Sequence, residues 1–255
     1  MIGALPLPVV VIAFSIVGAI IGSFIGASVL RVPRGEGVVG GRSHCDHCNH
    51  VLRAIDLVPL VSYAWLRGRC RHCQVSIAVD QPLAELGGLI VGLIAALSAP
   101  TLADGALLAL SGWTLVALAL LDVRHFWLPD ALTLPLILSG FAAAAVMPEI
   151  SFTDRLVGAT CGYGLIEALR FGYRRTSGRD GLGAGDAKLF AAIGAWLGLA
   201  CLPWVLVLAA SSGLAIVGYR ACRGKPYSRH DRLPLGTLLC MAAILLMPMG
   251  VSTIF

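Results

Sequence analysis

Charge is what this chain has least of. Of its 255 residues only 13% are Asp, Glu, Lys or Arg, about half the charged fraction of an ordinary soluble domain. The first thirty residues carry none at all. The amino-terminal Met1-Ile-Gly-Ala-Leu-Pro6 has no basic region of the kind that opens a signal peptide, so the first apolar segment reads as a retained span. No His-Glu-x-x-His, no P-loop and no serine in a nucleophile turn occurs anywhere, which removes the zinc-protease, nucleotide-hydrolase and serine-hydrolase chemistries. No internal repeat or low-complexity tract stands out.

What is abundant is apolar sequence: 58% of residues are hydrophobic and the mean hydropathy is +0.86. A helix needs about 20 apolar residues to cross a bilayer. Segments of that kind fall at about 8–30, 82–100, 104–121, 131–148, 156–170, 187–201, 203–219 and 233–252. The fifth is short and holds Glu167. The sixth and seventh come from one uncharged run, 189–219, interrupted by Pro203. As a single helix that run would be about 46 Å long against a hydrocarbon core of about 30 Å, so two spans joined by a tight turn are expected. Gly18, Gly22 and Gly26 form a stripe along the first segment that suits close helix packing, and Gly158 and Gly162 do the same in the fifth. The expected fold is an all-α polytopic membrane protein of about eight helices. Residues 1–30 are its first span, 31–80 a small domain outside the bilayer, and 81–255 a helical bundle.

The basic residues orient this scheme. With the N-terminus outside, the links 31–80, 122–130, 170–188 and 220–232 face the cytoplasm and hold eighteen of the nineteen Lys and Arg, as the positive-inside bias predicts. Arg155 is the exception. The net charge of +5 therefore reports topology and gives no ground for a nucleic-acid partner. The surroundings are membrane lipid.

Cys45-Asp-His-Cys48 and Cys70-Arg-His-Cys73 are two C-x2-C pairs with 21 residues between them. Such pairs can offer one zinc ion four thiolates in a tetrahedron. A cytosolic loop seldom carries structural disulfides, and a domain this small needs a staple. His47 and His72 are alternative ligands. Cys161, Cys201, Cys222 and Cys240 show no pairing pattern and read as packing residues.

Two acids stand out. Asp186 follows Gly183 and Gly185, whose missing side chains let another backbone approach, and it opens a long uncharged run. It is either a helix cap or functional, as an acid at the mouth of a span is by default. Asp122 closes the third segment, where a helix C-terminus disfavours negative charge, so capping does not explain it. Both lie on the same expected membrane face. Side by side they could share a proton, one acting as base toward water while the other polarises a carbonyl. Asp130 reads as a cap of the fourth segment. Glu85 and Glu167 read as bonded within the bundle. Lys188 either steadies the charge near Asp186 or snorkels to the interface.

Several stretches together resemble the type IV prepilin peptidase family (leader peptidase and N-methyltransferase), including its type II secretion members. They are Gly22-Ser-Phe-Ile-Gly-Ala-Ser-Val-Leu-Arg-Val-Pro33, the two cysteine pairs, Asp56-Leu-Val-Pro-Leu-Val-Ser-Tyr63, Leu66-Arg-Gly-Arg-Cys70, Pro82-Leu-Ala-Glu85, Asp122 with Leu128-Pro-Asp130, and Gly183-Ala-Gly-Asp-Ala-Lys188. The resemblance implies an inner-membrane aspartic protease of the GxGD type. Its catalytic pair would be Asp122 and Asp186, with Gly183, Gly185 and Lys188 in the active-site loop. The loop that bears Cys45, Cys48, Cys70 and Cys73 would be the part associated with the longer, bifunctional members. The enzyme would cut the basic leader of prepilins and pseudopilins after a glycine on the cytoplasmic side, then methylate the new N-terminus, usually Phe, from S-adenosylmethionine. Three positions depart from the family pattern: Gly26 in place of Asn, Asp80-Gln81 in place of Arg-Tyr, and Ala187 in place of a bulkier residue. The alternatives are a peptidase without methyl transfer, and a transporter or assembly scaffold with a zinc-stabilised domain.

Overall fold

The computed structural model describes residues 6–38, 40, 42–177, 182–225 and 231–249. Arg179 and Arg229 of the basic links, the first five residues and the end of the eighth apolar segment lie outside them. Apart from two isolated β-bridges and short 3-10 turns, the regular structure described is α-helix: α1 (Leu7–Arg31), α2 (Val61–Trp65), α3 (Asp80–Ser98), α4 (Leu102–His125), α5 (Asp130–Ala142), α6 (Phe152–Ser177), α7 (Ala184–Leu197), α8 (Leu202–Cys222) and α9 (Leu235–Leu246). All except the five-residue α2 follow the order of the eight apolar segments. Among the described residues four helices (α1, α3, α4 and α8) are long and apolar enough to cross a membrane, and α5 and α9 are shorter apolar helices. Helix α6 is longer than its apolar segment. It continues to Ser177, with Arg174 and Arg175 in its last turn, where a helix C-terminus favours cations. Pro203 sits in the first turn of α8, where a missing N–H costs nothing. Gly198, at φ +74°, ends α7, so the uncharged run does form two helices.

The chain divides into two compact units, residues 1–120 and 121–255. In the first, α1 and α3 pack backbone against backbone. A Cβ on Gly18 would collide with the carbonyl of Gly88, and one on Gly22 with the carbonyl of Ala84. Removing side chains at these points lets dispersion contacts form along both helices. The other face of α1 exposes Ile12, Ile16, Ile20 and Phe24, one side chain per turn.

In the second unit α7 is the centre. From Leu189 to Leu197 every residue is buried, and a helix apolar on all sides belongs inside a bundle. Gly194 of α7 meets the backbone of Gly158 on α6, and Phe190 meets Gly162. Trp196 lies against Gly140 of α5 and donates its indole N–H to the Leu136 carbonyl at 3.0 Å.

Arg155, the residue that escaped the charge rule, has a structural explanation. It is 1% exposed, and its guanidinium donates to the carbonyls of Gly140, Met147, Ile150, Ala195 and Trp196 at 3.0–3.3 Å. Those carbonyls belong to the C-terminal ends of α5 and α7 and to the loop before α6. They are groups that a helix leaves unbonded and that carry partial negative charge. One cation therefore closes two helix ends. Arg155→Met keeps the bulk and removes every donor. It should destabilise the folded protein by roughly 3 kcal/mol or more, since each charged hydrogen bond is worth about 1.5–3 kcal/mol. Thermal unfolding in detergent checks this, with Arg155→Lys expected between the two.

Candidate functional sites

The loop between α1 and α3 builds the candidate metal centre from two matching knuckles. In the first, the N–H of Cys45 donates to His50, that of Asn49 to Cys45 and that of Leu52 to Ser43. In the second, Cys70 donates to Val75, Gln74 to Cys70 and Ile77 to Gly68. The β-bridges are His44 with Val51 and Arg69 with Ser76, and the left-handed residues are Asn49 at φ 54° and Gln74 at φ 58°. Every feature repeats at a constant offset along the chain, so the loop is an internal duplication of backbone geometry. The sequence showed no repeat because only the cysteine spacing and one histidine are shared.

The knuckles converge. The four Sγ atoms of Cys45, Cys48, Cys70 and Cys73 lie within 4.8 Å of one another, and Cys45 and Cys73 are 3.9 Å apart. Four sulfurs at about 2.3 Å from a common zinc would have that spacing, so the donor set fits a single metal ion. The backbone N–H of Cys73 outweighs burial and, with that of His72, draws the Cys70 thiol down to about 7, toward the thiolate that binds metal. The ring of His72 packs on His50, with centroids 3.4 Å apart.

Three contacts hold the knuckles in place. Arg31, at the end of α1, bonds Asp46 and the His44 carbonyl, each at 3.0 Å. Arg71 pairs with Asp56 at 2.8 Å. Burial opposes the charge of Asp56, but Arg71 and the Arg53 N–H outweigh it and hold the carboxyl below its usual range. Glu85 of α3, 5% exposed, accepts from Ser23 Oγ (2.9 Å), the Leu60 N–H (2.7 Å) and Gln81 Nε2 (3.1 Å). The expectation that Glu85 is bonded internally holds. Glu167 instead pairs with Arg170 of its own helix at 3.0 Å. Two of the departures from the family pattern prove to be neighbours. A Cβ on Gly26 would stand 2.6 Å from Gln81 Oε1, and Gln81 donates to the Ser23 carbonyl and hydroxyl, each at 3.0 Å.

The second site lies in the second unit. Asp122 is in the last turn of α4, and Phe126, at φ 50°, turns the chain into Trp127-Leu128-Pro129. Asp122 is 5% exposed. Its Oδ2 accepts from the Thr237 N–H at 2.7 Å and from Thr237 Oγ1 at 3.1 Å. Thr237 stands in the first turn of α9, and that turn's free N–H groups and positive end suit an anion. The α9 turn therefore offsets the unfavourable end of α4. Asp186 is 8% exposed and occupies the first turn of α7. Its Oδ2 accepts the Gly183 N–H at 3.0 Å, so it caps its own helix and is also buried. Leu128 links the two acids. A Cβ on Gly185 would meet Leu128 Cβ at 2.8 Å, and a Cβ on Gly236 would meet Asp122 Oδ2 and Leu128 Cδ1, each at 3.0 Å. The fold thus gathers two buried carboxylates, each held by hydrogen bonds to its Oδ2.

Two expectations need correcting. Asp130 is not the cap of α5. Pro129 holds that position, and Asp130 makes no capping bond. Its two oxygens grip Lys188 Nζ at 2.6 and 2.7 Å. Lys188 therefore pairs with Asp130 and not with Asp186. It ties the start of α5 to α7 across 58 residues. Cys201 and Cys240 are buried packing residues, but Cys161 and Cys222 are exposed. Sequence reading missed Leu128, Gly236 and Thr237 as parts of the acid site. The available signal was Pro234-Leu-Gly-Thr237, a proline and a glycine at a helix start.

Two stretches of the chain match known protein families. Residues 16–99 match the model of the bacterial peptidase A24 N-terminal domain, and residues 108–218 match that of the type IV leader peptidase family. A protein of Aeromonas hydrophila named prepilin leader peptidase/N-methyltransferase is 40% identical, over 79% of this chain and 69% of its own. A Burkholderia pseudomallei protein of the same name is 35% identical, over 96% and 85%. One from Dickeya chrysanthemi is 38% identical, over 80% of each. No solved structure matches the chain significantly.

If zinc fills the four-cysteine site, the purified protein holds one zinc per chain. The double variant Cys45→Ser, Cys73→Ser should lose it and make the 31–80 loop protease-sensitive while the helices stay folded. A structural zinc is worth about 10 kcal/mol or more to a small domain. One equivalent of zinc retained in that variant would exclude the four-cysteine site.

Proposed function

Since this chain belongs to the type IV leader peptidase family, we propose that it cleaves the basic leader of prepilins or pseudopilins and methylates the new N-terminus from S-adenosylmethionine. The observation that carries the peptidase reading is the pair of buried carboxylates, Asp122 and Asp186, drawn together around Leu128. Two acids sharing one proton leave one ionised and one protonated. The ionised member removes a proton from water, whose oxygen attacks the scissile carbonyl. The protonated member donates to the carbonyl oxygen as negative charge develops there. Thr237 fixes Asp122 and the Gly183 N–H fixes Asp186, so neither carboxylate has to reorganise. Gly185 and Gly236 keep side chains out of the space around the acids. The reading places the chain among GxGD aspartic proteases. A transporter is disfavoured because the two acids sit together, whereas an ion path needs groups at successive depths.

In this reading eight helices cross the inner membrane, with the N-terminus in the periplasm and with the cysteine domain (31–80), Asp122 and Asp186 on the cytoplasmic side. The bundle from residue 81 onward holds the protease site. The charge bias supports this orientation, and it strengthens once Arg155 is assigned to helix ends. With native Cys161 and Cys222 removed, single cysteines at Phe126 and Lys225 should be shielded from an impermeant external reagent, and one at Ser151 should react. Labelling of residue 126 from outside contradicts the orientation.

Asp122→Asn and Asp186→Asn each change almost no volume. Each alone should reduce prepilin cleavage by at least about a thousandfold, and the double variant should cost little more, because the members of a dyad do not act independently. Asp130→Asn should act through folding, since its partner is Lys188. Near-normal cleavage by either single Asn variant in a folded protein would overturn the aspartyl mechanism.

A further inference from the structure

The first unit holds a cavity of about 560 Å³ that the peptidase chemistry does not use. This lies within the roughly 300–1,000 Å³ range of small-molecule sites. Its wall combines α1, α3 and both cysteine knuckles, and three features of it describe an occupant. Glu85 is 5% exposed and bonded by three neutral donors, Ser23, Leu60 and Gln81, with no ion pair to a cation among the described residues. A buried carboxylate ordinarily has a positive partner, and a bound cation would supply it. Leu60 takes φ 61° to deliver its N–H to Glu85, a conformation costly for a bulky residue, so the carboxylate is held in place at the expense of backbone strain. Arg34 supplies a guanidinium on the same wall, and Phe24 and Tyr63 supply rings.

We propose that this cavity binds the methyl donor, S-adenosylmethionine, with Glu85 facing its positive charge, Arg34 its carboxylate, and the rings of Phe24 and Tyr63 its adenine. The assignment rests on the methyltransferase part of the function proposed above. The N-terminal ammonium of the cleaved substrate first loses a proton to water. Its nitrogen lone pair then forms the bond to the methyl carbon, and the carbon–sulfur electron pair returns to sulfur. The donor's charge ends on the methylated amine, and the neutral thioether leaves. Loss of positive charge weakens the attraction to Glu85, so the site favours donor over product.

The test uses the full-length protein in nanodiscs with radiolabelled donor, measured by equilibrium dialysis, alongside prepilin cleavage and methylation. Glu85→Gln removes the charge with little change in shape, and Ala27→Phe fills the cavity from α1 while keeping the carboxylate. Each should weaken donor binding at least tenfold and abolish methylation, while zinc content stays at one and cleavage stays within about twofold. Photocrosslinked donor should map to peptides of α1, α3 or the loop. If the wild-type protein neither binds donor nor methylates, the methyltransferase reading fails and the site with it. If the wild type methylates and both variants bind donor normally, the cavity assignment alone fails. If Glu85→Gln weakens prepilin binding and leaves donor binding intact, the carboxylate serves the basic leader and the proposal is overturned.

Discussion

The burial of α7 on every side is the constraint on which the second unit depends. A helix can be enclosed this closely only if its neighbours carry little side chain where they meet it, which is why glycines of α5 and α6 line the contact. Close packing leaves no water for the helix ends. The C-terminal carbonyls of α7 are closed by Arg155, and its N-terminal turn is closed by Asp186 reaching back to Gly183. The same carboxylate that caps the helix thereby becomes a buried acid beside Asp122. Capping and burial fall on one residue, so the capping bond of Asp186 is compatible with the role proposed for it.

Asp122 reaches the site by the opposite route. Its own helix end repels it, and another helix start receives it. The turn at Phe126 and the wedge of Leu128 set the spacing, and Gly236 leaves room for the carboxylate. The Asp130–Lys188 pair lies on the same sequence motifs but serves a different end. It clamps α5 to α7, the two helices whose C-termini Arg155 also joins. One cation at each end therefore fixes this helix pair, a stronger constraint than either contact alone.

In the first unit the organising contact is between α1 and α3. Stripping side chains from their seam brings Ser23, Gln81 and Glu85 into one hydrogen-bonded group, from which the loop is hung through the Leu60 N–H. Arg31 and Arg71 then settle the two knuckles. The departures at Gly26 and Gln81 fall into place as a pair. The glutamine amide occupies the space above the glycine, where a side chain at position 26 would stand.

The sequence by itself determined the features that depend on near neighbours. Apolar runs and a proline set where the long helices lie. Paired thiols at a fixed spacing marked the candidate metal-binding loop, and two acids at the mouths of apolar segments marked the candidate protease site. Glycine stripes announced close helix contacts without naming the partner. What only the tertiary structure decided are the pairings between residues far apart in the chain: Thr237 with Asp122 across 115 residues, Lys188 with Asp130 across 58, and Arg155 with the ends of α5 and α7. A lysine or arginine in sequence carries charge but no direction. Its partner is chosen by which helix ends remain unbonded after packing, and that depends on every helix at once.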